Sequence, residues 1–136
     1  MKKNGFTLLF TVLFVSASLA VSLGLSGLIM GQIQLSGTGR DSQLAFYASD
    51  TGVECARYWD GVGSAFATSS QSVINCAGVD HIVGGSYVSS FSLNLDNGSC
   101  VEVTVDKTGL PETVITSLGR NPCDGRKVER GLRVRY

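Results

Sequence analysis

The chain has 136 residues, and its 11 basic and 11 acidic side chains cancel to a formal charge of zero. That balance excludes a global electrostatic pull toward nucleic acid or an anionic membrane surface, and the length allows one small domain beyond any membrane segment. Seventeen glycines against two prolines suit a helix followed by tightly turned strands, and no internal repeat or low-complexity linker interrupts them.

Lys2 and Lys3 precede Gly5, an apolar stretch begins at Phe6, and no charged residue follows until Arg40. A helix over residues 6–31 would run roughly 39 Å at 1.5 Å per residue, more than the roughly 30 Å hydrocarbon core of a bilayer. Such a segment spans with tilt, and the lysines mark its cytoplasmic end. Gly27 and Gly31 form a GxxxG spacing that Ser16, Ala20 and Gly24 extend into a small-residue row. Rows of this kind let helices approach closely in apolar surroundings. In a helix interior Gly24, Gly27, Gly31, Gly37 and Gly39 each cost about 1 kcal/mol relative to Ala. They read as packing against neighbouring helices, as sites of local melting during assembly, or as small residues that pack on nothing specific. Ser16-Ala17-Ser18 and Ser18-Leu19-Ala20 offer weak small-x-small sites for removal as a secretory peptide.

The helix is predicted to continue over residues 32–60. After the polar, glycine-interrupted residues 32–38, Leu44, Tyr47, Ala48, Cys55, Tyr58 and Trp59 recur at three- and four-residue steps and form one apolar stripe. Residues 61–83 read as loops around a short extended piece at 72–76. The pattern then alternates, with strands predicted over 87–95, 100–105, 113–118 and 128–136, and with a hairpin turn at Asp96-Asn97-Gly98. Four antiparallel strands with one apolar face, packed on the amphipathic half of a long helix, make the predicted fold α+β.

The four cysteines, Cys55, Cys76, Cys100 and Cys123, all lie on the exported side of the anchor, where disulfides persist. Four cysteines permit three pairings. Cys55–Cys76 and Cys100–Cys123 are favoured because each closes a modest loop, and each contributes about 3 kcal/mol by loop entropy. A zinc site lacks support, since there is no CxxC and the one histidine is His81.

No catalytic constellation stands out: there is no GxSxG elbow, no HExxH and no phosphate loop followed by Lys. His81 reads as a solvated loop residue, and no cofactor or metal is expected. Asp96-Asn97-Gly98 and Asp124-Gly125 do not fit an EF-hand loop, which leaves turn chemistry as their role. Arg120, Arg126, Lys127, Arg130, Arg133 and Arg135 crowd the C-terminal segment, with alternation placing Arg133 and Arg135 on the solvent face. DNA contact is the minority reading of this strip, because no aromatic residues are interleaved for base stacking. Edge protection by charge or a subunit contact is favoured.

The junction Gly5-Phe6-Thr7-Leu8-Leu9 resembles the leader junction of type IV pilins and pseudopilins. In that family a short basic leader ends in Gly, and the apolar stretch stays in the mature protein. Residues 45–54, Ala-Phe-Tyr-Ala-Ser-Asp-Thr-Gly-Val-Glu, are similar to the post-membrane helix of PilX-type minor pilins. The resemblance implies a leader over residues 1–5, a transmembrane and assembly helix over 6–31, its amphipathic continuation over 32–60, and a disulfide-stabilised sheet head over 61–136. It implies cleavage between Gly5 and Phe6 by a prepilin peptidase, which also methylates the new amine.

One position departs from the family. Most pilins carry Glu five residues into the mature chain, and here Phe10 stands there. That Glu is understood to neutralise a neighbouring subunit's N-terminal amine, and an unpaired charge in such surroundings costs several kcal/mol. Phe10 therefore argues against a major, self-polymerising subunit and for a minor one, at a tip or in initiation. The partners implied are other pilin or pseudopilin subunits along the N-terminal helix, the inner-membrane assembly platform, and membrane lipid before assembly. The filament is a type IV pilus, a secretion pseudopilus or a competence filament. The alternative is a single-pass anchored envelope protein whose small binding domain never enters a filament.

Overall fold

The computed structural model describes residues 4–125 and 128–136, so Met1, Lys2, Lys3, Arg126 and Lys127 lie outside the described residues. One helix, α1 (Asn4–Gly63), precedes six strands: β1 (Gln71–Cys76), β2 (Val79–Gly84), β3 (Val88–Asn94), β4 (Cys100–Asp106), β5 (Val114–Asn121) and β6 (Val128–Arg135). The protein is α+β, with β1 and β2 forming a hairpin and the other four a meander ordered β3-β4-β5-β6. The chain divides into two compact units, Met1–Gly37 and Thr38–Tyr136.

In the second unit the meander is antiparallel throughout, its register running Phe91↔Val103, Val103↔Ser117 and Ser117↔Leu132. Because side chains alternate across a strand, Phe91, Leu93, Val101, Val103, Val105 and Ile115 fall on one face and are buried. Phe66, Ile74 and Val83 close over that core from the hairpin and the segment before it. Burying side chains of this size contributes roughly 1.5–3 kcal/mol each.

The helix meets the sheet along a different line from the predicted stripe. Ala45, Ala48, Ser49, Gly52, Val53 and Ala56 are buried, whereas Tyr47 and Tyr58 are 62% and 60% exposed. Leu44, Cys55 and Trp59 are half-buried at the margin of the seam. The reason is distance. A Cβ on Gly52 would lie 2.7 Å from Ser117 Oγ and Val103 Cγ2, and one on Gly119 would lie 2.7 Å from the Ser49 nitrogen. Only small side chains fit where two backbones come this close, so the bulky aromatics turn outward.

Two serines lock the seam. Ser49 Oγ donates to the Ser117 carbonyl at 2.9 Å, and Ser117 Oγ donates to the Ser49 carbonyl at 2.7 Å, both fully buried. Each hydroxyl thereby escapes the cost of burial without a partner, about 1–3 kcal/mol. Cys55 is bonded to Cys76, joining α1 to the hairpin, and Cys100 to Cys123, joining the start of β4 to the segment after β5. The single tryptophan, Trp59, donates its indole N–H to the Asn75 carbonyl at 3.1 Å.

Residues 71–84 correct the loop expected there. Strand β1 is the predicted extended piece, one residue longer, but it pairs with a second strand through Val73↔Ile82 and Ile74↔His81. Ala77 and Gly78 turn the chain at φ of 52° and 78°, the left-handed pair that a two-residue hairpin needs. Alanine gives no sequence signal for that conformation. His81 is consequently a strand residue on the inward side of the hairpin, not a solvated loop residue. Its ring centroid lies 5.6 Å from that of Phe91, and its Nε2 is buried with no hydrogen-bond partner among the described residues.

Candidate functional site

Two parts of the chain carry side chains that the fold does not consume: the first unit, all of whose described side chains are exposed, and the surface of the second unit.

The first unit is helical from Asn4, so Gly5 and Phe6 already lie within α1. From Phe6 the helix is long and apolar enough to cross a membrane. Several of its hydroxyls are satisfied locally: Thr11 donates to the Leu8 carbonyl at 2.9 Å, Ser16 to the Leu13 carbonyl at 2.9 Å and Ser18 to the Phe14 carbonyl at 2.8 Å. Local bonds of this kind let polar side chains sit in hydrocarbon without an orphaned donor. Phe10, the position where the resemblance leads one to expect Glu, is 60% exposed, and its ring stacks at 6.5 Å on Phe14.

At 3.6 residues per turn, Ser16, Ala20, Gly24, Gly27 and Gly31 share one side of this helix, flanked by large side chains that include Leu19 and Leu23 on one edge and Phe10 and Leu28 on the other. A Cβ added at Gly24, Gly27, Gly31, Gly37 or Gly39 would meet nothing within 4 Å. The row from Ser16 to Gly31 is of the kind that lets a helix approach closely on that side.

On the second unit, the arginines predicted to form a cationic strip are largely engaged. Arg120 bonds Glu129 through Nε at 2.6 Å and reaches Glu102 through Nη2 at 3.4 Å. The hydrogen bond to Glu129 is the main reason its pKa is raised above the usual arginine value. Arg135 pairs with Glu112 at 3.1 Å, and Arg130 Nε donates to Ser42 Oγ at 2.7 Å. Arg133 is exposed. Arg126 and Lys127, the other two members, lie outside the described residues.

Sequence reasoning did not single out the cluster around Asp60. Lys107 Nζ lies 2.5 Å from Asp60 Oδ1, with the two side chains 14% and 7% exposed. Tyr136 donates its hydroxyl to Asp60 Oδ2 at 2.8 Å, and the Arg57 guanidinium stands 5.9 Å from the Tyr136 ring centroid. Burial, then the bond to Asp60, pushes the Tyr136 hydroxyl well above the usual tyrosine range. The cluster ties the last turn of the helix to the ends of β4 and β6. No spacing rule relates residues so far apart in sequence, so nothing in the chain signals it.

Among the described residues no group of three or more His, Cys, Asp or Glu side chains converges. In the turn before β4, Asn97 Oδ1 accepts from the Ser99 N–H at 3.0 Å and the Ser99 hydroxyl at 2.5 Å, with Gly98 at a φ of 82°. These bonds give Asn97 and Gly98 a turn-forming role. No protein-family model, curated protein or solved structure matches this chain.

Proposed function

We propose that this chain is a minor pilin-like structural subunit, held in a membrane by α1 and assembled with related subunits through that helix. The observation that carries the reading is the Lys-Lys-Asn-Gly-Phe junction, set directly on a helix that has no charge from Asn4 to Gly39. A prepilin peptidase trims it between Gly5 and Phe6 and methylates the new amine. The second unit is exported, in keeping with its two disulfides. The row of small residues along one side of the first unit supports assembly, because it lets a neighbouring helix approach closely. Phe10 cannot supply the countercharge that a mid-filament subunit gives its neighbour, which supports a place at a tip or in an initiating complex. Its work is packing and display, without chemical turnover.

Mass spectrometry of the protein from its native envelope tests the reading. An N-terminus at methylated Phe6 supports it, and enrichment in sheared filaments supports assembly. An intact Met1 would favour the anchored envelope protein instead. A head recovered in soluble form, beginning after Ala20, would mean the apolar segment is a discarded secretory peptide.

A further inference from the structure

The sheet face turned away from α1 carries a groove of about 410 Å³ across β3, β4 and β5, within the range of small-molecule sites. Its floor is made by short side chains at alternate positions of β3, Ser90, Ser92 and Asn94, and its far wall by the taller Glu102 and Arg120. The register sets Ser92 beside Glu102, and Asn94 in one row with Cys100 and Arg120. None of the Ser90, Ser92 and Asn94 side chains bonds another described residue. A smaller cavity of about 90 Å³ shares Ser92 and Asn94 with the groove and is bounded by His81, whose Nε2 is the buried polar atom left without a partner.

The charges select the ligand. One guanidinium, Arg120, faces two carboxylates, Glu102 and Glu129, so among the described residues the groove's lining holds no uncompensated cation for an anion. Arg133, exposed on β6, is not among the residues that line the groove. What remains is a mixed set of neutral donors and acceptors: two hydroxyls, one carboxamide, spare carboxylate lone pairs and the guanidinium N–H groups that the two glutamates do not take. Adjacent hydroxyls on a ring satisfy such a set, donating to the carboxylate while accepting from the amide and guanidinium. We infer that this groove binds a neutral, polyhydroxylated ligand, a hexose or N-acetylhexosamine unit of a glycan. The site lies wholly within the second unit and stands whether or not the chain enters a filament.

The test uses the full chain in a detergent without sugar headgroups, isotope-labelled for NMR. Methyl hexosides and N-acetylhexosamines are titrated in, with glucuronate as the acidic counterpart. At least one neutral sugar is expected to give saturating shifts at the amides of Ser90, Ser92, Asn94 and Glu102. Ser92→Val, which fills the floor with a residue suited to a strand, and Glu102→Gln should each weaken that binding by about tenfold, and glucuronate should bind at least about tenfold more weakly than the neutral sugar. Unchanged Trp59 fluorescence shows that each variant has folded, and Asn94→Ala replaces Ser92→Val if it has not. The inference is overturned if no neutral sugar saturates, if glucuronate binds as well as the best neutral sugar, or if folded variants bind like the parent.

Discussion

Gly52 stands inside α1, where exchanging it for Ala removes a helix penalty of about 1 kcal/mol. On propensity alone Gly52→Ala stabilises. The packing says otherwise. A methyl there would lie 2.7 Å from both Ser117 Oγ and Val103 Cγ2, and 2.9 Å from Val101 Cγ2, about 0.7 Å short of the closest ordinary contact between such atoms. The three obstructing side chains are themselves 0–2% exposed, so they have nowhere to go. Overpacking of this kind costs about 1–3 kcal/mol, which exceeds or cancels the propensity gain and leaves a net loss of up to about 2 kcal/mol. Gly61, on the same helix, meets nothing within 4 Å, so Gly61→Ala gains up to about 1 kcal/mol. Thermal unfolding of the full chain in detergent micelles, followed by Trp59 fluorescence, reads both variants. For a domain near 100 residues each kcal/mol moves Tm by about 4–8 °C, so Gly52→Ala is expected to leave Tm unchanged or lower it while Gly61→Ala raises it. If Gly52→Ala raises Tm as much as Gly61→Ala does, the close approach of helix and sheet is wrong.

Lys107→Ala strips a buried carboxylate of its cation and should cost about 3–5 kcal/mol. The double variant with Asp60→Ala should recover part of that loss, and denaturant unfolding of the two singles and the double measures the coupling. The raised Tyr136 pKa makes the protein lose stability as pH rises above about 10, where the unfolded chain gives up the phenolic proton and the folded chain still holds it. Tyr136→Phe should flatten that alkaline slope, which Tm measured across the alkaline range will show. Non-reducing peptide mapping should recover Cys55 linked to Cys76 and Cys100 linked to Cys123. Replacing Cys100 and Cys123 together by Ser should cost about 3 kcal/mol in unfolding experiments.

Properties that depend on neighbours in the chain were legible in the sequence. An unbroken run of apolar and small residues after two lysines is enough to specify a membrane-length helix, because helical hydrogen bonds close within the segment. Alternation gave the four meander strands to within a few residues at each end, and loop lengths favoured the two disulfides that the structure contains. The rest needed the tertiary structure. Tyr47 and Tyr58 satisfied the three- and four-residue spacing yet face outward, because separation from the sheet, which spacing does not encode, favours small side chains such as Ala45, Ala48, Ser49 and Gly52 at the closest approach. The second hairpin strand was hidden because Ala77 adopts a left-handed turn that alanine rarely marks, and His81 was misplaced with it. The engagement of the arginines, the Asp60 cluster and the groove floored by Ser90, Ser92 and Asn94 follow from strand register and from contacts between distant segments, quantities that exist only once the chain has closed on itself.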